Sequence, residues 1–149
     1  MLMSKLDKEV TALTGKSSSA DFLKSIGAKN VILRDDFLEG PVKPMERALF
    51  SSAIDTVGGD ILSKMLTQIS PHGVVACCGN VAGIEVNTTV FPFILRGITL
   101  AGIDSAESSL EFKTNVWRKF ANEWKLDLSP IIKVVTKENL QQEIDLILQ

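Results

Sequence analysis

Five small apolar residues in a row, Val74-Val75-Ala76-Cys77-Cys78, follow a segment in which Ile61, Leu62, Met65, Leu66 and Ile69 recur at the spacing of one helix face. An uninterrupted apolar strand belongs where both faces are covered, the usual state of a parallel sheet, and the preceding helical period supplies the crossover such a sheet needs. A second run, Ile98-Thr99-Leu100-Ala101-Gly102, repeats the pattern. The chain is expected to be α/β, a doubly wound parallel sheet.

The rest of the chain keeps that rhythm. Met1 to Asp7 reads as the last turns of an amphipathic helix, and Val10 to Leu13 as a short strand ending at Thr14-Gly15. Ser17-Ser18-Ser19 offers capping oxygens to a helix through Phe22, Leu23 and Ile26, which Gly27 stops. Val31 to Leu33 is a buried strand, Met45 to Phe50 a short helix, and Ala53 to Asp55 a third strand. Gly58-Gly59 turns into the helix that contains Ile61, and Pro71 and Gly73 end it. A loop with Gly79, Gly83 and Pro92 precedes the Ile98 strand. A helix from Leu110 to Trp124 is expected to bury Phe112, Val116, Trp117 and Phe120, with a short strand over Ile131 to Val135 and a last helix from Lys137 to Leu148.

With 149 residues, 45% of them hydrophobic, the chain has enough material for one domain with its own core. A formal charge of −2 provides no basic field for phosphates, so nucleic acid is not an expected partner. No apolar stretch approaches the roughly 20 residues of a spanning helix, so a membrane is not expected either. Lys5 and Lys8 are not followed by the apolar segment of a signal peptide, which points to the cytoplasm. Cys77 and Cys78 are sequence neighbours that cannot staple distant segments, and His72 is the single histidine; no spaced ligand set for a metal is present. The cysteines read as small buried residues and His72 as a turn residue.

Ligands of open parallel sheets bind at the carboxyl ends of the strands. That rule selects Thr14 to Lys16, Arg34, Val57 to Gly59, Gly79 to Ala82 and Asp104-Ser105. Gly79 and Gly83 have neither the spacing nor the following helix of a dinucleotide fingerprint.

The run from Thr88 to Ser105 (TTVFPFILRGITLAGIDS), taken with Thr14-Gly15-Lys16 and Asp55-Thr56-Val57-Gly58-Gly59, resembles the cofactor domain of the medium-chain dehydrogenase/reductase superfamily. The resemblance spans nearly the whole chain and is nearest to the zinc-free quinone oxidoreductase and acryloyl-CoA reductase branch. It implies a Rossmann-like domain over residues 1–149 in which the first strand, with its glycine-rich turn, and the closing strand are absent. It also implies a GroES-like substrate domain outside the chain.

The same resemblance implies NADP (NADPH) as cofactor. Thr14, Gly15 and Lys16 end the strand that reads the adenosine ribose; a hydroxyl, a backbone amide and a cation there suit a 2′-phosphate, with Arg34 as a second cation. Val81, Ile94 and Ser105 are the implied contacts to the nicotinamide half. The implied parent enzyme reduces an α,β-unsaturated carbonyl compound of quinone or acryloyl-CoA type by hydride transfer, without zinc and as a homodimer. No catalytic residue is assigned, and this chain alone is expected to be inactive. The alternatives are a non-catalytic Rossmann-like module that binds a nucleotide or self-associates, and a short-chain or methyltransferase-like α/β domain, against which the Phe91 to Ser105 run argues.

Overall fold

The computed structural model describes residues 1–41 and 43–147; the expected end of the last helix at Leu148 lies outside the described residues. After a short helix α1 (Leu2–Lys5), strand β1 (Thr11–Thr14) leads through a 3-10 turn at Ser17–Ser19 and helix α2 (Ala20–Ser25) to β2 (Asn30–Leu33). The two strands are parallel, in register from Thr11 opposite Asn30 to Thr14 opposite Leu33. Gly27 ends α2 with φ 112°, and a side chain there would meet the Cβ of Ser4 at 2.9 Å.

The second group of elements is larger. Strand β3 (Phe50–Asp55), helix α4 (Gly59–Thr67), strand β4 (Ile69–Cys77), helix α5 (Phe91–Arg96) and strand β5 (Thr99–Gly102) build a parallel sheet in the order β3-β4-β5. Leu62 and Leu66 of α4 are buried with Ile69, Val75 and Ile98, and Ala53, Phe93 and Leu100 pack against them. One sheet face, through Ala53, Val75 and Leu100, is thus covered. The opposite face is open: Ile54, one residue along β3, is 68% exposed, and Val74 is exposed as well.

The expected doubly wound sheet is therefore present as two parallel pieces. In the strand order 3-2-1-4-5-6 of that fold, β1 and β2 take positions two and three and β3 to β5 take positions four to six. The break falls between β1 and β3, where the first strand has its place, and among the described residues their facing edges are unpaired. Helix packing spans the break. Helix α3 (Arg34–Leu38) buries Phe37, and the buried Lys64 of α4 donates from Nζ to the carbonyl of Glu39 at 2.7 Å while standing 5.9 Å from the centre of the Phe37 ring.

Several expected elements are corrected. No helix forms over Met45 to Phe50, because that backbone is committed elsewhere: Glu46 N–H donates to Thr67 O, Leu49 N–H to Gln68 O, and Arg96 holds the Glu46 carbonyl. The helix ends at Thr67, and Ile69, Pro71 and Gly73 all lie in β4. The pairing with β3 skips from Phe50–Ile69 to Ser52–Val74, so the segment around His72, at φ 63°, bulges out of the ladder. Phe91 to Arg96, read as loop, is helical, with Pro92 in its first turn and Gly97 closing it at φ 59°. Arg34 does lie just beyond a strand, as expected, but the residues from Arg34 to Leu38 form a helix, α3, that was not expected.

Helix α6 (Leu110–Ala121) ends before Trp124, and it does not bury Phe112 or Trp117; Trp117 is 71% exposed. Its aromatic side chains pack on one another instead, with Phe120 between Trp117 and Trp124 at centroid distances of 6.1 and 5.7 Å. The segment after the 3-10 turn at Ser129–Ile131 makes no strand, and helix α7 covers Leu140–Ile147.

Leu66→Ala removes a fully buried side chain and is expected to cost about 2–5 kcal/mol in urea unfolding, whereas Ile54→Ala on the open face should change stability by about 0.5 kcal/mol or less. Equal losses at both positions would contradict the one-faced core.

Candidate functional site

The β1 and β2 ends bring four of the expected residues together. Thr14 closes β1, and its Oγ1 accepts the Lys16 N–H at 3.1 Å, which folds the turn back on itself. Arg34 begins α3 directly after β2, and its guanidinium lies over Gly15: a side chain built there would meet Nη1 at 3.4 Å and Cζ at 3.5 Å. The Arg34 Nε is paired with the exposed Asp35 carboxylate at 3.1 Å. The guanidinium thus stands within van der Waals reach of the Gly15 backbone, and the exposed Lys16 follows next in sequence.

At the carboxyl ends of β3 and β4, the turn after β3 and the loop after β4 interlock through backbone. Gly58, at φ 70°, forms a bridge with Gly83, and a Cβ on it would meet the Gly83 carbonyl oxygen at 2.4 Å. A Cβ on Gly79 would lie 2.0 Å from the Thr56 carbonyl oxygen. Ala82 N–H donates to Val57 O at 2.7 Å. Beneath the interlock the Asp55 carboxylate, 5% exposed, accepts from Gly58 N–H at 3.1 Å (Oδ1) and 3.0 Å (Oδ2), and from the Cys77 thiol at 3.4 Å. A cavity of about 310 Å³ opens between Gly59-Asp60 and Ala82 to Glu85.

Val81, Ile94 and Ser105 are all exposed, but on three separate elements: the loop after β4, helix α5 and the turn after β5. The two thiols are not the buried pair expected. Cys77 is half-buried and Cys78 exposed. Loss of hydration by burial, then the Asp55 carboxylate beside it, raise the Cys77 pKa. Asp55 is the residue that sequence reasoning passed over: the strand-end rule selected Val57 to Gly59, and an aspartate shortly before Gly-Gly is the available signal for a side chain that bonds its own turn.

Parallel strands whose carboxyl-end loops converge on a glycine interlock and a cationic turn make this a dehydrogenase-type cofactor domain. Residues 4–122 match the zinc-binding dehydrogenase family, and the chain belongs to that family, within the medium-chain dehydrogenase/reductase superfamily. It is 42% identical over 118 residues to the probable acrylyl-CoA reductase AcuI of Escherichia coli K12, covering 79% of this chain and 36% of that protein. The structure of Bacillus subtilis yhfP with NAD bound superposes with a TM-score of 0.92 at 37% identity, over 99% of this chain and 46% of that one. The structure of E. coli K-12 YHDH with bound NADPH gives a TM-score of 0.87 at 35% identity, over 98% and 45%. The chain spans less than half the length of each of these relatives.

Among the described residues no three His, Cys, Asp or Glu side chains are grouped to hold a metal ion.

Gly79→Ala is expected to destabilise the chain by roughly 1–3 kcal/mol, since the added methyl meets backbone, while Gly102→Ala, with open space around it, should stay within about 0.5 kcal/mol. Urea unfolding of both variants checks this. A thiol with a raised pKa carries less thiolate at a given pH, so mass spectrometry after brief alkylation at pH 8 should find Cys78 modified before Cys77.

Proposed function

We propose that this chain is the cofactor-binding portion of an NADPH-dependent oxidoreductase that reduces α,β-unsaturated carbonyl compounds of acryloyl-CoA or quinone type. The observation that supports the reading best is the Arg34 guanidinium held over Gly15, flanked by Thr14 and Lys16, at the end of the strand whose family position is the adenosine ribose. A hydroxyl, a free backbone and two cations favour a 2′-phosphate, and none of them is the acidic residue that would accept from an unphosphorylated ribose.

In this reading Thr14, Gly15, Lys16 and Arg34 hold the phosphorylated ribose, while Val81, Ile94 and Ser105 line the nicotinamide half. Val81 and Ile94 present apolar surface that keeps water from the reacting face. Held by these residues, NADPH would supply the hydride chemistry, from its nicotinamide C4 to the β-carbon of an acceptor whose α-carbon would take a proton. The protein's share is orientation, and the chain needs no metal for it. The acceptor pocket belongs to a GroES-like domain that these 149 residues do not contain, so the chain alone lacks activity. A homodimer in the cytoplasm completes the reading, the self-association supported by the exposed apolar side chains of Val90, Phe91 and Leu95 at helix α5 and by the unpaired sheet edges.

Fluorescence titration should show tighter binding of NADPH than of NADH. Arg34→Ala should weaken NADPH about 10- to 100-fold, the size of a lost charge-assisted contact, and leave NADH unchanged. Equal affinity for the two nucleotides, or an equal loss in the variant, would reject the phosphate site.

A further inference from the structure

Asp55 is a carboxylate withdrawn from water at the end of β3, a placement that costs several kcal/mol unless its oxygens are occupied. They are occupied by a single neighbourhood. Both oxygens accept the Gly58 N–H, Oδ1 also faces Val57 N–H at 3.4 Å, and Oδ2 takes the Cys77 thiol from β4. Its own carbonyl accepts Cys78 N–H at 2.9 Å. The carboxylate does not cap the helix that follows, whose N-cap is Gly58 and which has no side-chain cap bond. What the carboxylate does fix is Gly58, in a conformation of φ 70° and ψ −154° that only glycine readily adopts.

From Gly58 the constraint passes on through backbone. Gly58 lies against Gly83, Gly79 against Thr56, and Ala82 N–H on Val57 O, with no side chain between turn and loop to absorb a shift. We infer that Asp55 is a positioning residue: through the Thr56 to Gly59 turn it sets the conformation of the Gly79 to Gly83 loop, and so shapes the nicotinamide side of the cofactor site. The last clause rests on the reading in the preceding subsection; the first does not. Asparagine fits the space but carries no charge and one acceptor oxygen in place of two: with that oxygen on Gly58 and Val57 N–H, its amide must donate to the weakly accepting Cys77 sulfur, and turned the other way it opposes Gly58 N–H.

The test is residue-resolved amide exchange of the 149-residue chain and its Asp55→Asn variant, with NADPH and NADH titrations of both. In the variant, exchange at Gly58 and Ala82 should accelerate tenfold or more while Val75, in the β4 core, keeps its wild-type rate. Removing the negative charge should also move the alkylation profile of Cys77, beside Cys78, to lower pH. Both nucleotides should weaken by the same factor, in contrast to the selective loss expected of Arg34→Ala. A folded variant with unchanged Ala82 exchange, with acceleration that includes Val75, or with wild-type nucleotide affinity overturns the inference. If the variant does not fold, the wild-type chain decides: Gly58 and Ala82 must open with one shared free energy, and different values overturn the inference. If the wild-type chain binds neither nucleotide, the cofactor reading fails and the exchange result still judges Asp55.

Discussion

The packing of α4 against β4 is the contact on which the other features of this structure depend. Leu62 and Leu66 meet Val75 and Ile69 in a layer closed to water, each fully buried side chain contributing about 1.5–3 kcal/mol. Once α4 is fixed there, its ends and its outer face determine three further placements. Its start at Gly59 fixes the turn that carries the glycine interlock. Its end presents the Thr67 carbonyl to Arg96, whose guanidinium also holds Ile69 O and Glu46 O and thereby ties the long loop before β3 to α5. Lys64 reaches α3 and so carries the element that begins with Arg34. The two halves of the candidate site, some on the β1–β2 piece and some on the β3–β5 piece, are related to one another through this helix.

A parallel sheet divided between β1 and β3 is an unusual arrangement, because open edges present unpaired amides and carbonyls. The open face adds to this. Ile54 and Val74 of the sheet, and Leu110, Phe112 and Trp117 of α6, are all apolar and exposed. The superposition on yhfP nevertheless extends over 99% of the chain at a TM-score of 0.92, so both pieces stand in the mutual placement seen in a relative more than twice as long.

Much of this was legible in the residues. Continuous apolar runs announced the parallel strands at Val74 and Ile98, the helical period announced α4, and the family resemblance located the break between β1 and β3. The errors share a physical origin. Local signals at Pro71, Gly73 and Met45 to Phe50 were read as local structure, but tertiary bonds decided those segments: the β3 ladder absorbs the proline in a bulge, and Arg96 with Thr67 and Gln68 claims the backbone that would have made a helix. Helix α6 was given a buried aromatic face on periodicity alone, although periodicity says which side is apolar and not whether anything covers it. In the site, Arg34 was expected only as a second cation near Thr14 to Lys16, and its contact with Gly15 follows from two adjacent strand ends; the burial of Asp55 was not expected, since a carboxylate bonded to its own turn leaves no periodic trace.

We propose that the turn after β1, with Arg34 beyond β2, and the interlocked loops of β3 and β4 receive one extended dinucleotide. Titration of the isotopically labelled chain with NADPH, followed amide by amide, tests it most directly. The account predicts that Gly15, Lys16 and Arg34 shift together with Gly58, Val81 and Ala82, along one saturation curve. Shifts confined to one of the two groups, or gathered on the open face around Ile54 and Val74, would contradict it.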